Sequence, residues 1–213
     1  MTYDSTKGNA SLRHEINNSL TLISSRLQLL AARYVFLKED SDFTEIQNDL
    51  SDIQRLLNYD RTARQPQLTL CSLQPLLNEL YTSFLPVLHA QHIALYLHIS
   101  SNLPAIRADL SLIRQALINL LKNAIQAIGD QPDGQIDIQV YCNETEEVLI
   151  EIKNNGPVIP PEIVEHIFIP FFTTKEGGSG IGLSISRQIM RLSGGSLTLL
   201  PDNKETKFIL KFK

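Results

Sequence analysis

Cysteine is scarce. Cys71 and Cys142 are the two present, far apart, with no CxxC pair and no cysteine and histidine spacing of a zinc site. That excludes a disulfide scaffold and a zinc module, and a reducing cytoplasm is the expected setting. Positive charge is not in excess either: nineteen Lys and Arg stand against twenty-three Asp and Glu, for a formal net charge of −4. Without a basic field, nucleic acid is not an expected partner. Apolar runs such as Ile167 to Phe172 are a few residues long, far below the roughly 18 that a membrane helix needs. No membrane segment and no secretory leader are expected in this chain. Repeats and low-complexity tracts are also missing. What remains is 213 residues with 43% apolar content, an ordinary globular composition that excludes disorder and collagen. At about 150 residues per domain it holds one or two domains.

Two periodicities divide the chain. Leu12, Ile16, Leu20, Ile23, Leu27, Leu30, Tyr34 and Leu37 follow one another at spacings of three and four, a heptad seam on one long helix. After a polar break from Glu39 to Asp42, Phe43, Ile46, Leu50, Ile53 and Leu57 repeat that spacing. The pair predicts an antiparallel helical hairpin. Two amphipathic helices cannot enclose a core, so two copies are expected to form a dimeric four-helix bundle. The alternative packs the hairpin on the rest of its own chain. Arg61 to Gln67 reads as a linker.

Beyond it the chain predicts helices over 73–90, 109–128 and 181–192, and strands over 93–99, 135–142, 147–153, 196–200 and 206–212. Asp109 opens the second of these helices, and Gly129 and Gly194-Gly195 act as stops. The expected fold class is α plus α/β: the hairpin bundle, then an α/β sandwich with helices on one face of a mixed sheet.

Three features could carry chemistry. His14 lies about 200° around the helix from both Leu12 and Ile16, so it should face away from the seam. With Glu15 holding one ring N–H, the other nitrogen would be a free nucleophile; a solvated surface histidine is the plainer alternative. Asn119 and Asn123 are four apart and share a helix face. Their amide oxygens suit Mg²⁺, though polar positions flanking a buried helix would look the same. Gly178, Gly180 and Gly182 form G-x-G-x-G where a loop enters a helix. Backbone amides there can cradle phosphate, yet the spacing is neither a dinucleotide fingerprint nor a P-loop, and a ligand-free glycine turn stays open. His89, His92, His98 and His166 have no comparable surroundings.

Taken in order, LRHEINNSL, LINLLKNAIQAI, NNGPVIPPEI, IFIPFFTTK and GGSGIGLSISRQIMRLSGG resemble the H, N, G1, F and G2 boxes of two-component sensor histidine kinases. The match covers nearly the whole chain. The resemblance implies a dimerisation and histidine phosphoacceptor hairpin over residues 1–66. It implies a catalytic ATP-binding domain over residues 67–213, with the Bergerat-type fold shared with gyrase-type ATPases. His14 would be the phosphoacceptor and Glu15 its base, with Asn18 aligning a water for phosphatase activity. Asn123 would ligate Mg²⁺, with Asn119 and Lys122 in the same pocket. Gly178, Gly180 and Gly182 would face the phosphates, Phe171, Phe172 and Lys175 would belong to a lid, and Asn154, Gly156 and Thr206 would lie near the adenine. The implied cofactors are ATP and Mg²⁺, and the implied partners are a second copy and a response regulator receiver domain. The implied location is cytoplasmic, with the cytoplasmic part of a longer membrane receptor as the alternative.

Three departures matter. Asn154 stands where the family carries an aspartate, and losing a charge-assisted bond to the base costs on the order of 1 kcal/mol. Val158 replaces a glycine and excludes positive φ. Ser19 replaces a proline, so a straighter helix is expected. The competing reading is a histidine phosphotransferase or regulator phosphatase that binds ATP poorly, and a dimeric scaffold is the third.

Overall fold

The computed structural model describes residues 5–38, 40–59, 66–175, 178–200 and 204–213. Glu39 of the expected break and residues 61–65 of the expected linker lie outside them, as do the side chains of Leu12, His14 and Leu57. The chain divides into two compact units, Met1–Arg64 and Gln65–Lys213.

In the first unit α1 (Ser5–Arg33) runs without interruption, and α2 (Ser41–Tyr59) packs against it. Ser19 donates its hydroxyl to the Glu15 carbonyl at 2.9 Å within the uninterrupted helix. The expectation that α1 continues through Leu37 is corrected: it ends at Arg33, and Val35–Lys38 form a 3-10 turn. Tyr34, Val35 and Phe36 are weak helix formers, and the Leu37 N–H reaches the Tyr34 carbonyl at 3.0 Å, a three-residue closure. Asp40 then caps α2, its Oδ1 accepting the Phe43 N–H at 2.9 Å. Leu20, Ala31 and Phe43 are buried, whereas Ile16, Ile23, Leu30, Tyr34 and Ile46 stay exposed.

The second unit is a five-stranded mixed sheet in the order β2-β4-β5-β7-β6, covered by α3 (Gln74–Ala90), α4 (Leu110–Ile128) and α5 (Gly182–Leu192). The strands are β2 (Ala94–Ile99), β4 (Gln135–Cys142), β5 (Val148–Asn154), β6 (Ser196–Leu200) and β7 (Thr206–Phe212). Among the described strands, only β2 and β4 pair in parallel. Two strands too short to show a periodicity, β1 (Thr69–Cys71) and β3 (Ile106–Ala108), pair separately.

Alternation decides which residues meet the helices. Ile136, Ile138 and Val140, then Val148, Ile150 and Ile152, then Phe208, Leu210 and Phe212 are buried. Each fully buried aliphatic side chain contributes about 1.5–3 kcal/mol. The intervening positions carry polar pairs: the Tyr141 hydroxyl donates to Glu151 at 2.5 Å, and Lys153 lies 3.5 Å from the same carboxylate. No described helix is long and apolar enough to cross a membrane.

Gly195 turns the chain from α5 into β6. A Cβ there would lie 2.1 Å from the Lys211 carbonyl oxygen. Gly195→Ala is therefore expected to lower unfolding stability by about 1–3 kcal/mol, read as a shifted urea midpoint at unchanged slope.

Candidate functional site

Helix α4 begins at a firm cap: Asp109 accepts the Ser111 N–H at 3.0 Å and the Gln67 N–H at 3.1 Å. Those bonds, with Ser111's hydroxyl, hold its carboxyl below the usual range against the opposing effect of burial. Ile113, Leu117, Leu120, Leu121, Ala124 and Ile128 are buried. Gln115, Asn119, Asn123 and Gln126 recur at spacings of four, four and three, which places four amides along one flank.

The flank meets the loop in two places. Asn119 donates to the Gly182 carbonyl at 3.2 Å and to the Ser186 hydroxyl at 3.4 Å, and Ser186 itself donates to Gly182 O at 2.8 Å. Asn119 thus brackets the first turn of α5. One turn on, the Lys175 ammonium donates to Asn123 Oδ1 at 3.1 Å and to Gln126 Oε1 at 3.0 Å. Burial pushes the Lys175 pKa down. Sequence reasoning missed Gln126; its three-residue offset from Asn123 shows that the two share a face, but not that they share the lysine. Lys122 is exposed and does not join this group.

The glycine loop is built by close backbone approach. Gly180 has φ +66°, and a Cβ there would lie 2.6 Å from the Phe172 carbonyl oxygen. Phe171 also adopts positive φ (68°) and donates its N–H to Gly180 O at 3.0 Å. Such a conformation costs a bulky residue about 1–3 kcal/mol, so the surrounding loop must hold it. At Gly178 a Cβ would crowd Thr173 Oγ1 at 2.7 Å, while Gly182 leaves ordinary space, its nearest neighbour Asn119 at 3.8 Å. Nothing in the described chain demands glycine at 182, although an approaching ligand would. The N-cap residue Ile181 supplies no side-chain bond, so among the described residues no side-chain cap occupies the first amides of α5, where a helix terminus favours an anion.

The other end of the site is the mouth of β5. Asn154 is 4% exposed, pairs with Thr206 across β5 and β7, and accepts the Gly156 N–H on Oδ1 at 3.2 Å. Thr206 donates to the Pro157 carbonyl at 3.3 Å. Gly156 is required by packing: a Cβ would lie 2.8 Å from the Ala127 backbone in α4. Val158 keeps negative φ, as a β-branched residue must.

The structure therefore gathers Asn119, Asn123, Lys175, Gly178, Gly180 and Gly182 around α4 and the start of α5, with Asn154, Gly156 and Thr206 around the β5 mouth. His14, Glu15 and Asn18 lie on α1 of the first unit, with Glu15 and Asn18 exposed. The expected exposure of His14 concerns a side chain outside the described residues. A triphosphate with a divalent cation fits the donor set: hard amide oxygens that already hold a cation, open helix amides and a glycine backbone that can be approached closely. No cluster of three His, Cys, Asp or Glu suited to a metal occurs among the described residues.

Residues 108–213 match the family model of the histidine kinase-, DNA gyrase B- and HSP90-like ATPases. The catalytic domain of histidine kinase ThkA is 36% identical, covering 68% of this chain and 94% of that one, at a TM-score of 0.61. The structure of ThkA in complex with response regulator protein TrrA is 29% identical over 97% of this chain and 60% of that one, at 0.69. The sensory histidine kinase/phosphatase NtrB of Rhizobium leguminosarum bv. phaseoli is 28% identical over 219 residues, 93% of this chain and 56% of its own length. The chain spans 31% to 56% of the first three curated relatives it matches.

Gly180→Ala is expected to destabilise the loop by about 1–3 kcal/mol. Hydrogen exchange at the Phe171 amide, which Gly180 O protects, should speed up while the β4 and β5 amides keep wild-type protection.

Proposed function

Because this chain belongs to the sensor histidine kinases through its ATPase domain, we propose that it phosphorylates His14 from Mg²⁺-bound ATP. It then passes the phosphoryl group to an aspartate of a response regulator receiver domain. The observation that carries this reading is the pair of α4 amide oxygens holding a cation beside a glycine loop and an uncapped helix N-terminus. Phosphoryl transfer asks a protein chiefly for positioning and charge neutralisation, and those groups supply both.

In this reading residues 67–213 bind the nucleotide and residues 1–66 carry the acceptor and the dimer contacts. Bound Mg²⁺ supplies neutralisation of the charge on the triphosphate. Asn123 holds the metal, the amides of Gly178, Gly180 and Gly182 face the phosphates, and Asn154 and Thr206 border the base. A His14 ring nitrogen forms the N–P bond as the bridging O–P bond to ADP breaks, and Glu15 takes the ring proton. The receiver aspartate then accepts the phosphoryl group as the N–P bond breaks. Asn18, exposed one turn beyond His14, suits a water-directing role in regulator dephosphorylation, an activity that the name of NtrB includes. The reaction needs ATP and a soluble regulator, which makes the cytoplasm its compartment.

Ile16, Ile23, Leu30, Tyr34 and Ile46 support a homodimer, since one chain leaves this apolar seam exposed. A second reading, a phosphotransferase or regulator phosphatase with weak ATP binding, draws on Asn154. Its oxygen is already engaged by Gly156.

Incubation with Mg²⁺ and γ-labelled ATP is expected to give alkali-stable, acid-labile label that disappears in His14→Gln and falls at least tenfold in Asn123→Ala, a loss of about 1.4 kcal/mol or more. No label at millimolar ATP would overturn the autokinase reading, and labelling of His14 by a phosphorylated regulator would then support the relay. For the dimer, Ile23→Asp is expected to shift sedimentation from twice the chain mass to that of one chain.

A further inference from the structure

We propose that Gln126 and Asn123 form one two-oxygen cation seat, for which the Lys175 ammonium and the divalent cation of the bound nucleotide compete. This rests on the nucleotide reading above and assigns Gln126 a binding role. The two amides sit three residues apart on α4, so their side chains lie within one turn of each other on one face. Lys175 spans both, with Nζ 3.1 Å from Asn123 Oδ1 and 3.0 Å from Gln126 Oε1. An ammonium with three N–H donors and a divalent ion that favours oxygen ligands want the same lone pairs. Their like charges keep them from sharing that seat.

Displacement of the lysine would be felt along the loop. The Lys175 N–H donates to Thr173 Oγ1 at 3.1 Å, and the Lys175 carbonyl accepts the Gly178 N–H at 3.3 Å. The lysine is therefore joined through its own backbone to the first of the three phosphate-facing glycines. Moving its ammonium off α4 unfastens the Thr173–Lys175 turn at the moment the metal and phosphates arrive. The seat acts as an exchange point: a cation from the chain holds the turn against α4, and a cation from the ligand releases it.

The test uses the full chain and ADP, which lacks the γ-phosphate that a lid lysine would otherwise contact. Hydrogen exchange over Phe172–Lys175 is recorded without nucleotide, and ADP affinity is measured by calorimetry with and without Mg²⁺. Lys175→Met is expected to speed exchange several-fold and to tighten Mg²⁺-ADP binding several-fold, because no ammonium has to leave. Gln126→Leu, which leaves the Asn123 bond in place, is expected to speed exchange by less than Lys175→Met and to shrink the factor by which Mg²⁺ improves ADP binding. Gln126→Glu, which keeps oxygens at that position, should retain the factor. The Lys175→Met, Gln126→Leu double variant should exchange no faster than Lys175→Met alone, because the glutamine acts on the turn only through the lysine. Wild-type exchange and wild-type Mg²⁺-ADP affinity in Lys175→Met would overturn the competition while leaving nucleotide binding intact. Failure of the wild-type chain to bind Mg²⁺-ADP would instead overturn the nucleotide reading, and the competition with it.

Discussion

Helix α4 has to satisfy two environments that differ in everything but distance. Its buried side, Ile113 through Ile128, fills the space over the sheet, where an unpaired polar atom would be costly. Its flank must present Asn119, Asn123 and Gln126 to the loop and to solvent. The helical repeat reconciles the two, since residues three and four apart stack on one face while intermediate positions turn into the core. The rest of the site hangs on that division. Asn119 brackets α5, so the glycine loop enters a helix whose first turn is held in place. Lys175 reaches the next turn of the same flank, and the loop lies against α4 there.

Backbone proximity is the second requirement. At Gly156 and at Gly180 a methyl group would collide with main-chain atoms, at 2.8 and 2.6 Å respectively, and main chain cannot move aside as a flexible side chain can. Gly156 lets the chain leaving β5 touch the last turns of α4, which brings Asn154 and Thr206 to the same end of the sheet as the amide flank. Gly180 and Phe171 share the positive-φ region and one hydrogen bond, so the loop keeps its curvature through paired local constraints. The bond between Asn154 Oδ1 and the Gly156 N–H has a chemical consequence. A carboxylate there would retain a second acceptor oxygen after making the same bond, whereas the amide retains an N–H₂ donor.

The first unit is governed by a different imbalance. Leu20, Ala31 and Phe43 are buried within one chain, yet much of the seam on α1 and α2 is not. A two-helix unit has too little interior to bury a stripe that repeats every three or four residues along both helices. The end of α1 at Arg33 shows how local chemistry overrides periodicity: Leu37 continues the seam in register, but the Tyr-Val-Phe run and the Asp40 cap favour a short 3-10 turn.

The change of periodicity, the five long strands of the sheet, the helix over 110–128 with its Asp109 cap, and the shared face of Asn119 and Asn123 were legible in the sequence. Each follows from local information, a repeat of two or near 3.6 and the caps that bound it. The strands β1 and β3 were not, because three residues display no repeat. Nor could spacing reveal that Asn119 is committed to α5 or that Gln126 joins Asn123 in holding Lys175. Those contacts join residues 63, 49 and 52 positions apart. The sequence by itself determined which side chains share a helix face and which backbone positions can tolerate close approach. Only the tertiary structure decided what each face meets, because that depends on α4 packing against α5 and on a loop whose path is set by main-chain contacts rather than by neighbours in the chain.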